Sequence, residues 1–177
     1  LAGAEAPRVA DLGTGSGCLA VTLALELEGG HVTASDLSEE ALVWASRNAE
    51  ALGASVAMHC GEGLQELEEL LGVGGPFDLI VSNPPYVEPT ERELLSPEVR
   101  EHEPPLALYA PAEDPDFWAR GLIELAQRAL KPGGLLLVEL GHLQGQRVHR
   151  LAEESGAQSA GIVDDLGGIP RVLALVR

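Results

Sequence analysis

Lysine is almost missing from this 177-residue chain, occurring once at Lys131, and asparagine occurs only at Asn48 and Asn83. Lysine and arginine together number 11 against 28 aspartates and glutamates, for a formal net charge of −17. A surface this acidic repels nucleic-acid phosphates and favours basic partners. No apolar run reaches the length of a membrane span, and no basic-then-apolar leader opens the chain. A cytoplasmic protein without a membrane partner is therefore expected. The only two cysteines, Cys18 and Cys60, do not form a Cys-x-x-Cys pair, and their apolar neighbours read as burial in reduced form. No electropositive neighbourhood marks either as a nucleophile. Histidines 31, 59, 102, 142 and 149 lack metal-ligand spacing, so no metal is expected.

What is there is apolar material for one domain with one core: 45% of the residues are hydrophobic. Short apolar runs read as strands at Arg8–Leu12, His31–Ser35, Ser55–His59, Phe77–Val81, Leu135–Leu140, Ile162–Val163 and Val172–Val176. Helical patterns fall between them: Leu19, Leu23 and Leu27 on one face, Ser38 to Leu52, an acidic helix with Leu64, Leu67, Leu70 and Leu71, a helix capped by Asp114 or Asp116, and Leu143 to Ser155. Alternating strands and helices predict an α/β sheet wound on both faces. Only the last connection, Asp164 to Pro170, is too short for a helical crossover, so the seventh strand should run antiparallel. Residues 87 to 115, rich in Glu and Pro, break the rhythm and read as a functional cover over a strand's end. The chain opens abruptly at Leu1-Ala2-Gly3-Ala4, which reads as a piece of a longer protein.

Three strand ends carry chemistry. After the first comes Asp11-Leu12-Gly13-Thr14-Gly15-Ser16-Gly17, a glycine-rich turn opening a helix. Its N–H groups and the helix dipole suit an anionic group, and glycine lets backbone approach a ligand. The spacing lacks the Walker lysine and fits Gly-x-Gly-x-x-Gly only partly, with Cys18 in the third place. Asp11 would repel a pyrophosphate and suits a ligand bearing an ammonium and a sulfonium. Asp36, ending the second strand, is placed to take ribose hydroxyls, which NAD and S-adenosylmethionine share. Glu62, after the third strand, could accept from an adenine amino group or serve as a helix N-cap acid.

The fourth strand ends in Ser82-Asn83-Pro84-Pro85-Tyr86. Pro84 forces Asn83 into extended angles, and two prolines remove N–H donors, so the sheet ladder stops and carbonyls are freed. A carboxamide, free carbonyls and an aromatic ring together can accept hydrogen bonds from a planar NH2 and stack on it. Alone, the segment reads first as a strand-ending turn; the glycine loop and acid that precede it in the chain favour the functional reading.

Taken together, these segments resemble class I S-adenosylmethionine-dependent methyltransferases acting on planar amino groups. Two families share Asn-Pro-Pro-Tyr: one methylates exocyclic amines of nucleic-acid bases, such as adenine N6, and the HemK-like (PrmC) family methylates a glutamine amide in peptide-chain release factors. Val99-Arg100-Glu101-His102-Glu103-Pro104 with Leu106-Ala107-Leu108 resembles the latter, as do Leu137-Val138-Glu139-Leu140-Gly141-His142 with Gln144-Gly145, and Asp165-Leu166 with Ile169-Pro170-Arg171-Val172. The resemblance implies a Rossmann-like methyltransferase sheet and a release-factor partner rather than nucleic acid. It implies S-adenosyl-L-methionine as cofactor, leaving as S-adenosyl-L-homocysteine. It assigns cofactor contacts to Asp11, Gly13, Thr14, Gly15, Ser16, Gly17, Asp36, Leu37, Glu62, Gly63 and Asn83, catalysis to Asn83, Pro84 and Tyr86, and acceptor binding to those three with Pro85. Family members also carry a helical N-terminal domain that grips the release factor, absent from residues 1–177, and an aromatic residue where this chain has Gly63. A cofactor-binding module that needs its missing half to work is the non-catalytic alternative.

Overall fold

A computed structural model describes residues 6–61, 64 and 76–177. Among them, seven strands form one sheet in the order β3-β2-β1-β4-β5-β7-β6. The strands are β1 (Arg8–Leu12), β2 (His31–Asp36), β3 (Val56–Cys60), β4 (Phe77–Ser82), β5 (Leu130–Glu139), β6 (Ser159–Asp164) and β7 (Pro170–Val176). Strands β1 to β5 are parallel neighbours, and β7 runs antiparallel to both β5 and β6. This is the expected doubly wound sheet with its last strand reversed.

The central strands are buried on both faces, as parallel strands covered by helices must be. Side chains alternate between two cores with the period of a strand. Ala10, Leu12 and Ile80 face the larger cluster, with Leu122, Leu125, Ala126, Leu136, Val138 and Leu173. Val9, Leu79 and Val81 face the smaller one, with Ala20, Val32 and Ala34. Each fully buried Val, Leu or Ile side chain here contributes about 1.5–3 kcal/mol.

Among the described residues the helices are α1 (Cys18–Glu26), α2 (Glu39–Leu52), α3 (Pro97–His102), α4 (Pro105–Leu108), α5 (Phe117–Ala129) and α6 (Gly145–Glu154). Ser38 caps α2, its Oγ accepting from Ala41 N–H at 3.2 Å, and Gly53 ends it in the left-handed region. Helix α1 faces inward through Ala20 and Val21, while Leu19 is exposed. The expected Leu19–Leu23–Leu27 stripe is thus only partly inward, because close packing of α1 on β1 and β2 favours the small residues. Both cysteines are exposed, contrary to the expectation of burial: their apolar neighbours in sequence turn inward while Cys18 and Cys60 sit at element ends. Asp116 stands at the N-cap of α5, but its carboxylate bonds Gln144 and Arg147 rather than the helix's own N–H groups. The acidic helix expected from Leu64 to Leu71 lies outside the described residues except for Leu64, as do Glu62 and Gly63.

Strand β5 begins earlier than its apolar run suggests. Phe77 pairs with Leu130 and Leu79 with Leu135, so Lys131-Pro132-Gly133-Gly134 forms an outward excursion within the strand. Lys131 Nζ reaches Asp78 at 2.7 and 2.9 Å from there, tying the excursion to β4.

Gly17, at the N-cap of α1, has φ 83°, and an added Cβ would lie 3.0 Å from Ala45 Cβ on α2. Gly17→Ala is therefore expected to cost about 2 kcal/mol or more, combining left-handed strain with overpacking. Thermal unfolding should report a clear drop in Tm; an unchanged Tm would show that α1 and α2 can separate freely.

Candidate functional site

The chain order β1-β2-β3 runs outward on one side of the sheet, and β4-β5 on the other. The crevice between the carboxyl ends of β1 and β4 is the switch point where ligands bind in such sheets. Leu12 pairs with Ser82, whose Oγ donates to Leu12 O at 2.8 Å. That pairing sets the glycine loop and the Asn83-Pro84-Pro85 segment side by side. The loop is also tied to β2: Gly13 N and Thr14 N both donate to Ser35 O, at 2.9 and 3.0 Å. Gly13, Gly15 and Gly17 all have positive φ, which lets the loop turn this tightly.

A cavity of about 530 Å³ opens at this switch point, within the range of small-molecule sites. Its walls hold Gly13, Gly15, Ser16, Asp36 and Leu37 on one side, and Asn83, Pro84 and Pro85 on the other. Eight of the residues singled out from the sequence thus meet in one chamber. Asn83 is exposed, Pro84 buried and Pro85 half-buried.

Asp36 bridges the loop and the next helix. Oδ2 accepts from Gly15 N–H at 2.8 Å and Oδ1 from Ser38 N–H at 2.9 Å. Each oxygen retains a lone pair for a ligand hydroxyl. Ser16 O accepts from Asn48 Nδ2 at 2.9 Å, so α2 pins the loop's far end.

Asp11, Thr14, Gly17 and Tyr86 lie off the cavity wall. Asp11 is 1% exposed beneath the loop. Its Oδ2 accepts from Thr14 Oγ1 at 2.7 Å and Ala20 N–H at 3.0 Å, while Oδ1 has no partner among the described residues. Burial, and secondarily the nearby Asp36 charge, push its carboxyl up to about 6 against the two hydrogen bonds. A buried carboxylate with one unsatisfied oxygen fits a cationic ligand above the loop. Tyr86 is turned away from the chamber: its hydroxyl donates to Glu139 Oε1 at 3.0 Å. Burial, with the Glu139 charge and hydrogen bond, pushes its phenol up to about 12.

The sequence did not single out the chamber's apolar remainder. Ala41 and Trp44 come from α2, Trp118 and Leu122 from α5, and Leu64 from the segment after β3. The chain has two tryptophans, and both line this cavity, so aromatic scarcity was the available signal. Pro104, Leu106 and Ala107 reach it from the 87–115 insertion, in keeping with the expected cover. That insertion is a 3₁₀ turn (Pro89–Leu94) followed by α3 and α4. It is closed by Val87 N–H to Leu108 O at 2.9 Å and Ala110 N–H to Val87 O at 3.0 Å. Among the described residues no cluster of three or more potential metal ligands occurs, and no helix is long and apolar enough to cross a membrane.

A methyltransferase small-domain family model matches residues 1–97. A release factor glutamine methyltransferase of Bacteroides thetaiotaomicron is 39% identical over 174 residues, 98% of this chain and 61% of that protein. One of Streptomyces coelicolor is 42% identical over 166 residues, 93% of this chain and 57% of that protein. The chain therefore spans about three fifths of the length of these curated relatives. The solved structure of a release-factor-specific protein-(glutamine-N5) methyltransferase from Alicyclobacillus acidocaldarius is 31% identical, with a TM-score of 0.59, covering 97% of this chain and 80% of that one.

Proposed function

Because the chain belongs to the methyltransferase small-domain family and, within it, to the release factor glutamine methyltransferases, we propose that it methylates the side-chain amide N5 of a glutamine in a peptide-chain release factor. The observation that carries this is the single chamber joining the glycine loop and Asp36 to Asn83 and Pro84. S-adenosyl-L-methionine would supply the electrophilic methyl group. Gly13, Gly15 and Ser16 would hold it by backbone, Asp36 by its free lone pairs toward the ribose, and Leu37 by apolar contact. Asp11 would offset its positive charge from below. Glu62 and Gly63, outside the described residues, remain proposed contacts of its adenine.

An amide nitrogen is a poor nucleophile because its lone pair is delocalised into the carbonyl. Asn83 Oδ1 and the Pro84 carbonyl would accept its two hydrogens, orienting the NH2 and drawing electron density onto nitrogen. The rate then comes from positioning and from dipoles aimed at charge developing on nitrogen. As the nitrogen–methyl bond forms and the methyl–sulfur bond breaks, S-adenosyl-L-homocysteine would leave and the nitrogen, now acidic, would lose one hydrogen as a proton to solvent, so no strong base is required. Pro85 and the insertion residues Pro104 and Leu106 would wall the acceptor's approach. Tyr86, held on Glu139, would support the clamp from behind rather than cover the amide plane. A net charge of −17 supports a protein acceptor over nucleic acid. A cytoplasmic location suits such a partner. A helical acceptor-gripping domain in the rest of the protein, suggested by the relatives' greater length, belongs to the same proposal.

The test offers labelled S-adenosylmethionine with a release factor, a ribosomal protein and DNA. Label on the release factor is expected; label on DNA alone would overturn the reading. Cofactor binding by calorimetry without transfer to any of the three would mark a binding module instead.

Asp11 gives a pH prediction. Its carboxyl sits above its ordinary 3.8, so its contribution to stability is full below 3.8 and is lost as pH rises through about 6. A cationic ligand favours the ionised form and opposes that loss. Cofactor affinity should thus be flat above about pH 7 and fall by up to about tenfold per pH unit below about 6. Asp11→Asn should remove this dependence, whereas a profile identical in both proteins would exclude Asp11 as its source.

A further inference from the structure

Gln144 is 5% exposed and uses its whole carboxamide inside the protein. Oε1 accepts from Gly141 N–H at 2.8 Å. Nε2 donates to Pro115 O at 2.8 Å and to Asp116 Oδ1 at 3.2 Å. Asp116 is gripped in turn by Arg147, whose Nε donates to Oδ2 at 2.9 Å and Nη2 to Oδ1 at 3.1 Å. The same Nη2 lies 3.5 Å from Glu88 Oε1.

These contacts converge on both ends of the 87–115 insertion. Glu88 follows Tyr86 by two residues, and Pro115 and Asp116 stand just before Trp118 on the cavity wall. Gly141 is wedged between the two sides: a Cβ there would lie 3.3 Å from both Tyr86 Cδ2 and Gln144 Oε1. The β5–α6 turn thus touches the ring behind the Asn83 clamp and fastens the insertion where it leaves and rejoins the sheet. The cofactor end of the chamber, built by β1, β2 and α2, takes no part in this network.

We propose that Gln144, with Asp116 and Arg147, is a positioning clasp that sets the acceptor side of the cavity without contributing to the cofactor side. This rests on the methyl-transfer reading above. Gln144 touches neither reacting group; it acts through Gly141, Asp116 and the ends of the insertion. An exposed loop so rich in Glu and Pro has little core of its own, so its placement depends on such ties.

The test measures three quantities on Gln144→Ala and on Arg147→Ala: cofactor affinity by calorimetry, methyl transfer to a release factor, and hydrogen exchange at the Val87 and Ala110 amides. Arg147 is half-exposed, so its variant should fold even if loss of the buried Gln144 does not allow it. In Gln144→Ala, turnover should fall about tenfold or more and exchange at both amides should rise about tenfold or more, with cofactor affinity within about twofold of wild type. Arg147→Ala should move the same quantities in the same direction, more weakly, and Arg147→Lys should restore part of the loss. Unchanged exchange and turnover in both variants would overturn the clasp, and so would a cofactor affinity that falls as far as turnover. Should the wild-type protein transfer no methyl to the release factor, the functional reading fails on that arm, while exchange and cofactor affinity still decide the clasp.

Discussion

Asn83→Ala is expected to lower turnover by about 10²–10³-fold, the loss typical of removing one preorganised polar group at a developing charge, while cofactor affinity changes little. Asn83 is exposed at the end of β4 and none of its side-chain atoms is used by the core. The fold should therefore survive, and the effect should fall on the chemical step. The adjoining Pro84 carbonyl stays in place in the variant, because backbone geometry there is imposed by two successive prolines. One of two acceptors remains, so a residual rate is expected rather than none. Single-turnover methyl transfer measured beside calorimetry separates the two quantities. A variant that binds cofactor poorly and, once saturated, transfers at the wild-type rate would reassign Asn83 to cofactor binding.

The second large effect is expected at Asp36. Its carboxylate already organises the site by accepting from Gly15 and Ser38 N–H groups, and the proposed ribose contacts use its remaining lone pairs. Asp36→Ala removes both functions. A hydrogen bond to a charged group is worth about 1.5–3 kcal/mol, so even with the net loss of only one ribose bond the cofactor Kd should rise about 10- to 150-fold. Asp36→Asn, which keeps one acceptor oxygen, should fall between. Calorimetry reads both, and turnover at saturating cofactor should recover most of its wild-type value. A Kd for Asp36→Ala within experimental error of wild type would remove the ribose assignment.

The fold, and the gathering of the candidate site's polar residues at one cavity, were legible in the sequence because their signals are local. Apolar runs of strand length, the glycine turn and the acid at the end of β2 each declare a strand's carboxyl end, and doubly wound sheets gather such ends at one switch point. The reversed β7 was legible from connection length alone. The apolar half of the chamber was not legible in this way. Trp44 and Trp118 are distant in sequence and reach the same cavity only because their helices flank the switch point. The exposure of Cys18 and Cys60 depends on which face of each element turns outward, which neighbouring apolar residues did not settle. Tyr86 was read with the clamp, yet its hydroxyl is drawn to Glu139, 53 residues away in sequence. Glu139 and Gln144 stood out only within a stretch resembling the family; their bonds to Tyr86 and to the insertion come from sheet register, which no local pattern encodes.

Mapping the modified atom tests the central claim most directly. After incubation of this chain and S-adenosylmethionine with a release factor, tandem mass spectrometry of its peptides should place one added methyl on a glutamine side-chain amide. That methyl should be absent when Asn83→Ala replaces the wild type over the same short interval. A methyl on any other side chain, or equal modification by the Asn83 variant, would contradict the account.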